Sequence, residues 1–146
     1  VEAVCDKVTR FKPGDPVFGY RGQSMGAYAE YIAVPAKSMV ALKPENLSFE
    51  EAAVIPYGSL TAYSLLQKAN LQPGQKVLIN GASGGIGSFA VQLAKHAGAE
   101  VTGVCGTQRL DYVKALGADN VIDYTREDFT RDGQTYDLIF DVLNKT

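Results

Sequence analysis

The stretch VLINGASGGIG, from Val77 to Gly87, constrains the fold of this chain more than any other feature. It begins with four residues suited to a buried strand and continues into a loop of glycine and other small residues. A core strand can end in any kind of turn, so a turn without bulky side chains indicates that something approaches its backbone closely. The sequence therefore predicts a strand, a glycine-rich turn and a helix in direct succession.

Strands and helices alternate around and after this stretch. The predicted strands are KVLIN, EVTGVC, NVIDY and YDLIFDV, and the predicted helices are GGIGSFAVQLAKHAGA and QRLDYVKALGA. Such alternation indicates βαβ units, and therefore a parallel sheet with right-handed crossovers. Because the strands are almost continuously apolar, we expect a sheet that is covered on both faces.

The first third of the chain has the pattern of short strands separated by turns. The predicted strands are VEAV, VTRF, PVFGY, AYAEYIAVP and MVAL. Ser48 and Glu51 then form a capping-box pattern, which predicts the start of a short helix. Pro56 is expected to end that helix, and a second helix is predicted over SLTAYSLLQKAN.

The glycine-rich turn matches a dinucleotide-binding fingerprint, with Ala82, Gly84 and Gly87 at its three small positions. Ala82 permits the tight turn, Gly84 lets a pyrophosphate approach the backbone, and Gly87 lets the helix pack on the strand. The residues predicted to contact the cofactor here are Ala82, Ser83, Gly84, Gly85, Ile86 and Gly87. The alternative interpretation is a glycine-rich turn that binds no ligand.

The end of the second parallel strand favours NADPH over NADH. An NADH site places Asp or Glu there to bind the ribose 2′-hydroxyl, about 20 residues beyond the loop, but this strand ends in Cys105 and Gly106. Thr107 and Arg109 follow, and a hydroxyl with a guanidinium suits a 2′-phosphate. The alternative for Arg109 is a solvated charge at the start of a helix.

Composition excludes several other classes of function. The net charge is −2 with both signs interspersed, which gives no sign of binding to nucleic acid or to an anionic membrane. No apolar run reaches the roughly 20 residues of a membrane span, and no signal-peptide pattern opens the chain. Two cysteines 100 positions apart, Cys5 and Cys105, predict free thiols and a cytoplasmic location. They cannot supply the four close ligands of a structural zinc, so no metal site is predicted.

The chain resembles the zinc-independent branch of the medium-chain dehydrogenase/reductases, the quinone oxidoreductase-like proteins. The matching segments are VTRFKPGDPVFG, GAYAEYIAVPA, LSFEEAAVIPYGSLTAYSLL, VLINGASGGIGSFAVQLAKHAGAEVTGVCGT, ALGADNVIDYTREDF and YDLIFDV. The resemblance implies an α/β fold: a partial Rossmann-type parallel sheet preceded by strands of a GroES-like β domain. Residues 1–46 would form part of the substrate-side β domain, and residues 47–146 the first half of the cofactor domain. The chain would then be a fragment, inactive alone, of a protein that is a homodimer at full length.

The resemblance also assigns residues outside the glycine-rich turn. It places Thr61 near the nicotinamide, Tyr124 beside the 2′-phosphate pocket of Gly106, Thr107 and Arg109, and Leu143 near the nicotinamide ribose. Each assignment has an alternative. Thr61 would be an ordinary helix residue, Tyr124 a loop aromatic and Leu143 part of the chain end.

Two residues depart from the family pattern, since Cys5 and Asn144 stand where glycine is usual. In the family, the glycine at the position of Asn144 belongs to the floor of the nicotinamide site, next to Leu143.

The function implied is the NADPH-dependent reduction of a quinone or another α,β-unsaturated carbonyl. No catalytic acid is identified, because His96 is expected on the surface and Tyr57 is only near the right place by analogy. Two alternatives remain open at this point. One is a non-enzymatic relative that keeps the cofactor domain for a structural, sensing or trafficking role. The other is a zinc alcohol dehydrogenase whose metal ligands lie upstream.

Overall fold

The computed structural model describes residues 1–131 and 133–143, so Asn144 lies outside the described residues. The chain divides into two compact units, Val1–Tyr57 and Gly58–Thr146, and the boundary between them falls within a helix. The elements in chain order are β1 Val17–Tyr20, β2 Met39–Leu42, α1 Phe49–Lys68, β3 Lys76–Asn80, α2 Gly87–His96, β4 Glu100–Cys105, a 3₁₀ turn Thr107–Arg109, α3 Leu110–Ala115, β5 Asn120–Asp123 and β6 Leu138–Asp141. The two domains predicted over 1–46 and 47–146 remain a prediction.

The first unit contains one antiparallel pair, β1 with β2, in which Val17 lies opposite Leu42. The predicted strands PVFGY and MVAL are confirmed, whereas VEAV, VTRF and AYAEYIAVP form no strand and these predictions are wrong. A strand is stable when a neighbour satisfies its backbone groups, and the described chain places no strand beside these three segments. The third segment is largely exposed, including the side chains of Tyr28 and Tyr31.

Helix α1 begins with the predicted capping box. The Glu51 N–H donates to Ser48 Oγ at 3.1 Å, and the Ser48 N–H donates to Glu51 Oε2 at 2.8 Å. The predicted break at Pro56 is wrong, because α1 continues through this residue to Lys68. Proline removes one backbone hydrogen bond and disfavours a helix without forbidding it. Pro56 is itself buried, so its ring contributes packing that offsets part of that cost.

The second unit is built on a four-stranded parallel sheet in the order β5-β4-β3-β6. The predicted strands of this region are all confirmed, as are the two helices that connect them. Val77, Leu78 and Ile79 of β3 are fully buried, as expected for a strand that is covered on both faces. The core adds β4 and the inner faces of α2 and α3, including Val101, Val91 and Val113.

The strand order reverses at β3. From β3 the chain crosses to β4 and β5 on one side, and β6 later pairs with the other side of β3. In open parallel sheets a crevice forms at the carboxyl ends of the strands where the order reverses, and ligands bind there. The glycine-rich turn follows Asn80, the last residue of β3, and so lies at this point.

Candidate functional site

The turn after β3 is packed too tightly to accommodate a side chain at Gly87. A Cβ on Gly87 would overlap the carbonyl group of Gly81 and approach the Cα of Ala82. The N–H groups of Gly81 and Ala82 both donate to the carbonyl oxygen of Val104, at 3.2 Å and 3.0 Å. The turn is therefore fixed to the end of the neighbouring strand β4, and Gly87 has the close-packing role predicted for it.

The N-terminus of α2 presents free backbone donors. Gly84 donates to the carbonyl of Gly81 at 3.0 Å, and Ser88 donates to the carbonyl of Gly84 at 2.9 Å. Among the described residues, the N–H groups of Gly85 and Ile86 have no acceptor, and no side chain caps the helix. Free N–H groups and the positive end of the helix dipole make such a terminus suited to a phosphate.

Helix α1 supports the same turn from another side, through a glycine that the sequence analysis did not identify. A Cβ on Gly58 would overlap the carbonyl oxygen of Gly85 and would lie 2.8 Å from the ring of Phe89. Only a residue without a side chain allows this approach. Thr61 lies on α1 three residues later, is half-buried and has a bonding partner of its own.

A cleft of 560 Å³ opens beside the turn at the carboxyl ends of β3, β4 and β5. It is lined by Gly81, Ser83, Gly84, Cys105, Gly106, Thr107, Gln108, Arg109, Tyr124, Thr125 and Leu143. Seven predicted site residues thus come together in one place: Ser83, Gly84, Gly106, Thr107, Arg109, Tyr124 and Leu143. The other five, Thr61, Ala82, Gly85, Ile86 and Gly87, do not line the cleft.

Among the residues that the structure describes, the cleft lining carries one cation and no carboxylate. Arg109 ends the 3₁₀ turn after β4, is exposed, and forms no ion pair within the described part of the chain. Tyr124, which follows β5, packs its ring against Gly106. A Cβ added to Gly106 would be 3.4 Å from the hydroxyl oxygen of Tyr124. An unpaired guanidinium in this lining favours an anionic ligand.

A buried carboxylate lies behind this lining. Asp123, the last residue of β5, is 4% exposed. Its Oδ2 accepts the hydroxyl proton of Thr107 at 2.5 Å, and its Oδ1 accepts the Thr125 hydroxyl at 2.7 Å and the Thr125 N–H at 3.0 Å. These hydrogen bonds, that from Thr107 first, hold the pKa of Asp123 below its usual range.

This cluster changes the role predicted for Thr107. Its single hydroxyl proton is donated to Asp123, so the hydroxyl has no proton left for a phosphate. Asp123 and Thr125 were missed because their neighbours depend on strand order. The available signal was the position of Asp123 at the end of a predicted parallel strand, since these ends meet at one edge of a sheet.

A second polar pair lies close in sequence to the cleft residues Gly81 and Leu143. Asn80 Nδ2 donates to Asp141 Oδ1 at 3.0 Å, joining the carboxyl ends of β3 and β6. The same Asp141 oxygen accepts the N–H of Leu143 at 2.9 Å. Gly81, with a φ of +83°, lies under the Leu143 side chain, whose Cγ would be 3.1 Å from an added Cβ. The pair thus fixes Leu143 over the start of the turn.

The remaining reactive side chains provide no catalytic group in this region. Burial, and after it the charge of Asp123, raises the pKa of the Cys105 thiol and keeps it protonated. His96 is exposed at the end of α2, as predicted. Within residues 1–131 and 133–143, no three His, Cys, Asp or Glu side chains are grouped so that they could hold a metal ion. No helix of the described chain is long and apolar enough to cross a membrane.

Comparison with known proteins agrees with this geometry. Residues 85–146 match the family described as zinc-binding dehydrogenase. The chain is 41% identical to 2-methylene-furan-3-one reductase of Solanum lycopersicum, over 99% of this chain and 39% of the relative. It is 36% identical to the chloroplastic NADPH-dependent alkenal/one oxidoreductase of Arabidopsis thaliana, over 98% of this chain and 39% of the relative.

A solved structure shows the same relationship. The quinone oxidoreductase of Pseudomonas syringae superimposes with a TM-score of 0.81 and 37% identity, over 94% of this chain and 44% of that chain. The chain therefore spans about two-fifths of the length of the relatives it matches. The fold, the fingerprint turn and these matches place the chain in the quinone oxidoreductase-like group of the medium-chain dehydrogenase/reductases.

Proposed function

We propose that this chain forms the cofactor-binding part of an NADPH-dependent oxidoreductase that reduces a quinone or another α,β-unsaturated carbonyl without zinc. The observation that carries the proposal is the cleft at the carboxyl ends of β3, β4 and β5, which joins the fingerprint turn to the unpaired Arg109. The relatives, which include a furanone reductase and an alkenal/one oxidoreductase, supply the substrate class.

The cleft residues and the start of α2, which follows the turn in sequence, offer groups for the parts of a dinucleotide. The turn is packed so closely at Gly87 that only a glycine is accommodated, and the N–H groups of Gly85 and Ile86 are free within the described chain to bind a pyrophosphate. Arg109 would bind a 2′-phosphate, and the exposed ring of Tyr124 would lie beside the adenosine. Leu143 would contact the nicotinamide end.

The bound nicotinamide supplies the hydride, and the protein supplies binding, orientation and exclusion of water. In this chain the pyrophosphate contacts come from a turn whose first residues, Gly81 and Ala82, are hydrogen-bonded to Val104, so the turn is already held in place before the ligand arrives. We also propose a cytoplasmic location, which the two free thiols, Cys5 and Cys105, support. Homodimer formation by a longer protein rests on the family resemblance alone.

The test is a calorimetric titration of the chain with NADPH and with NADH, repeated on Arg109→Gln and on the control Arg131→Gln. Arg131 is an exposed arginine that does not line the cleft. Loss of a charged hydrogen bond to phosphate is expected to weaken NADPH binding by about tenfold or more in Arg109→Gln. NADH binding, which involves no 2′-phosphate, is expected to stay within about twofold.

The control variant is expected to match the parent chain with both cofactors. If Arg109→Gln and Arg131→Gln weaken NADPH binding equally, the effect is one of net charge and the 2′-phosphate assignment is wrong. If the parent chain binds neither cofactor, the cleft is not a dinucleotide site in this chain.

A further inference from the structure

Two hydroxyl side chains in the cleft lining donate their protons to a carboxylate that lies outside the lining. Thr107 and Thr125 both line the cleft, and both donate to the carboxylate of Asp123. Their two hydroxyl oxygens lie 3.0 Å apart, so the three side chains form one connected cluster. Asp123 itself does not line the cleft and is almost completely buried.

The count of donors and acceptors fixes what these hydroxyls can do. An ionised carboxylate only accepts hydrogen bonds, and a threonine hydroxyl has one proton and two lone pairs. The cluster itself holds the pKa of Asp123 low, so the carboxylate stays ionised at neutral pH. Thr107 and Thr125 therefore retain lone pairs but no free proton, which makes both of them acceptors for any further partner.

The charges around the cluster favour the same conclusion. Arg126 Nε lies 3.6 Å from Asp123 Oδ2, so the buried charge has a cationic neighbour. Arg109 lies in the lining and has no partner among the described residues. A ligand in the cleft thus meets one charged donor, Arg109, and two neutral acceptors, Thr107 and Thr125.

We propose that Asp123 is a positioning residue that sets cofactor specificity: by holding the protons of Thr107 and Thr125, it makes them acceptors for a ribose hydroxyl and leaves Arg109 as the charged donor for a 2′-phosphate. This inference rests on the proposed function, because it requires the adenosine ribose to lie in the cleft. It implies only a moderate preference for NADPH, since a phosphate oxygen gains nothing from a lone pair whereas the free hydroxyl of NADH does.

The chain contains a matched control for this carboxylate. The sequence Asp123-Tyr-Thr-Arg is followed by Asp128-Phe-Thr-Arg. Asp128 Oδ1 accepts the Thr130 hydroxyl at 2.6 Å and the Thr130 N–H at 3.1 Å, and Arg131 Nε lies 3.3 Å from Asp128 Oδ2. None of the residues of this second motif lines the cleft.

The experiment compares the parent chain with Asp123→Asn and Asp128→Asn, each titrated with NADPH and with NADH. An amide at position 123 donates to the Thr107 oxygen instead of accepting from it, which frees the Thr107 proton for a phosphate. It also removes a negative charge behind the cleft. The ratio of the NADH dissociation constant to the NADPH dissociation constant is expected to rise about tenfold in Asp123→Asn and to stay unchanged in Asp128→Asn.

The ratio separates positioning from support of the fold, because a loosened site would weaken both cofactors together. Thr107→Val is the second variant if Asp123→Asn does not fold, and it is expected to raise the same ratio by removing an acceptor used by NADH. Folded variants with the parent ratio overturn the inference and leave the proposed function standing. A parent chain that binds neither cofactor overturns both.

Discussion

Two neighbouring four-residue motifs share their chemistry and differ in their surroundings. Asp123 to Arg126 and Asp128 to Arg131 each place a carboxylate two residues before a threonine and three before an arginine. In both, the threonine hydroxyl and N–H bind Oδ1, at 2.7 and 3.0 Å in the first and at 2.6 and 3.1 Å in the second. Local sequence therefore determines the local hydrogen bonds equally well in the two motifs.

The difference lies in what the fold brings to the other carboxylate oxygen. The Asp123 side chain is 5% exposed and receives the Thr107 hydroxyl from the end of β4, whereas the Asp128 side chain is 54% exposed and has no such partner within the described chain. β5 ends beside β4 at the cleft, and the second motif lies beyond the strand. The same short motif can therefore contribute to a binding site or not, depending on where the fold places it relative to the ends of the strands.

The largest expected effect comes from removing each carboxylate outright. Asp123→Ala removes the three hydrogen bonds that the nearly buried carboxylate accepts from the Thr107 hydroxyl, the Thr125 hydroxyl and the Thr125 N–H, and a hydrogen bond to a charged group contributes more to stability than one between neutral groups. We expect its melting temperature to fall by several degrees, while that of Asp128→Ala stays near the parent value. Thermal unfolding followed by circular dichroism measures both, and equal shifts would remove the distinction between the motifs.

A smaller effect is expected in the titration of the two carboxyl groups. Thr107→Val removes the largest cause of the low pKa of Asp123 and is expected to raise that pKa, whereas the pKa of Asp128 should not move. Carboxyl-carbon NMR shifts followed from pH 7 downward report both groups in one sample. A pKa of Asp123 that does not change would show that the Thr107 hydrogen bond is not formed.

The direction of the Asp123 pKa shift also determines how the stability of the folded chain depends on pH. Because the pKa of Asp123 is lowered in the folded chain, its contribution to stability is complete above the unfolded pKa of about 3.9. That contribution is lost as the pH falls through the folded pKa. Thr107→Val should therefore lose less stability than the parent chain over this acid range.

The smallest effect is expected from the two arginines of the motifs. Arg126 and Arg131 are exposed, and each pairs with an aspartate three residues earlier. Because both guanidinium groups are largely solvated, these pairs are expected to contribute little to stability. We expect Arg126→Gln and Arg131→Gln to have the melting temperature of the parent chain within experimental error. A clear loss in only one of them would show that its ion pair is stronger than its exposure indicates.

The sequence was sufficient where the structure depends on neighbouring residues. The apolar runs around Leu78 and Val101 predict buried strands, and Ser48 with Glu51 predicts the start of α1. Prediction from the sequence failed where contacts with distant parts of the chain decide whether a strand or helix forms. AYAEYIAVP alternates like a strand but has no strand beside it in the described chain, and Pro56 is tolerated inside a helix where its own ring is buried.

The same limit applies to the site. The fingerprint turn and Arg109 were identifiable from spacing, because one turn and the end of one strand carry them. Asp123 was not, since its contact with Thr107 joins residues 16 positions apart through the pairing of β4 and β5. Gly58 was not either, because only the packing of α1 against the turn at Gly85 explains it.

The most direct test of the account is an amide NMR titration of this chain with adenosine 2′,5′-bisphosphate, the phosphorylated adenosine end of NADPH. The account predicts that the largest shifts occur at Gly106, Thr107, Arg109, Tyr124 and Thr125, the residues that line this end of the cleft. It also predicts that the residues of the second motif, Asp128 to Arg131, barely move. Saturable binding whose largest shifts lie elsewhere, or no binding at millimolar ligand, would contradict the assignment of the cleft.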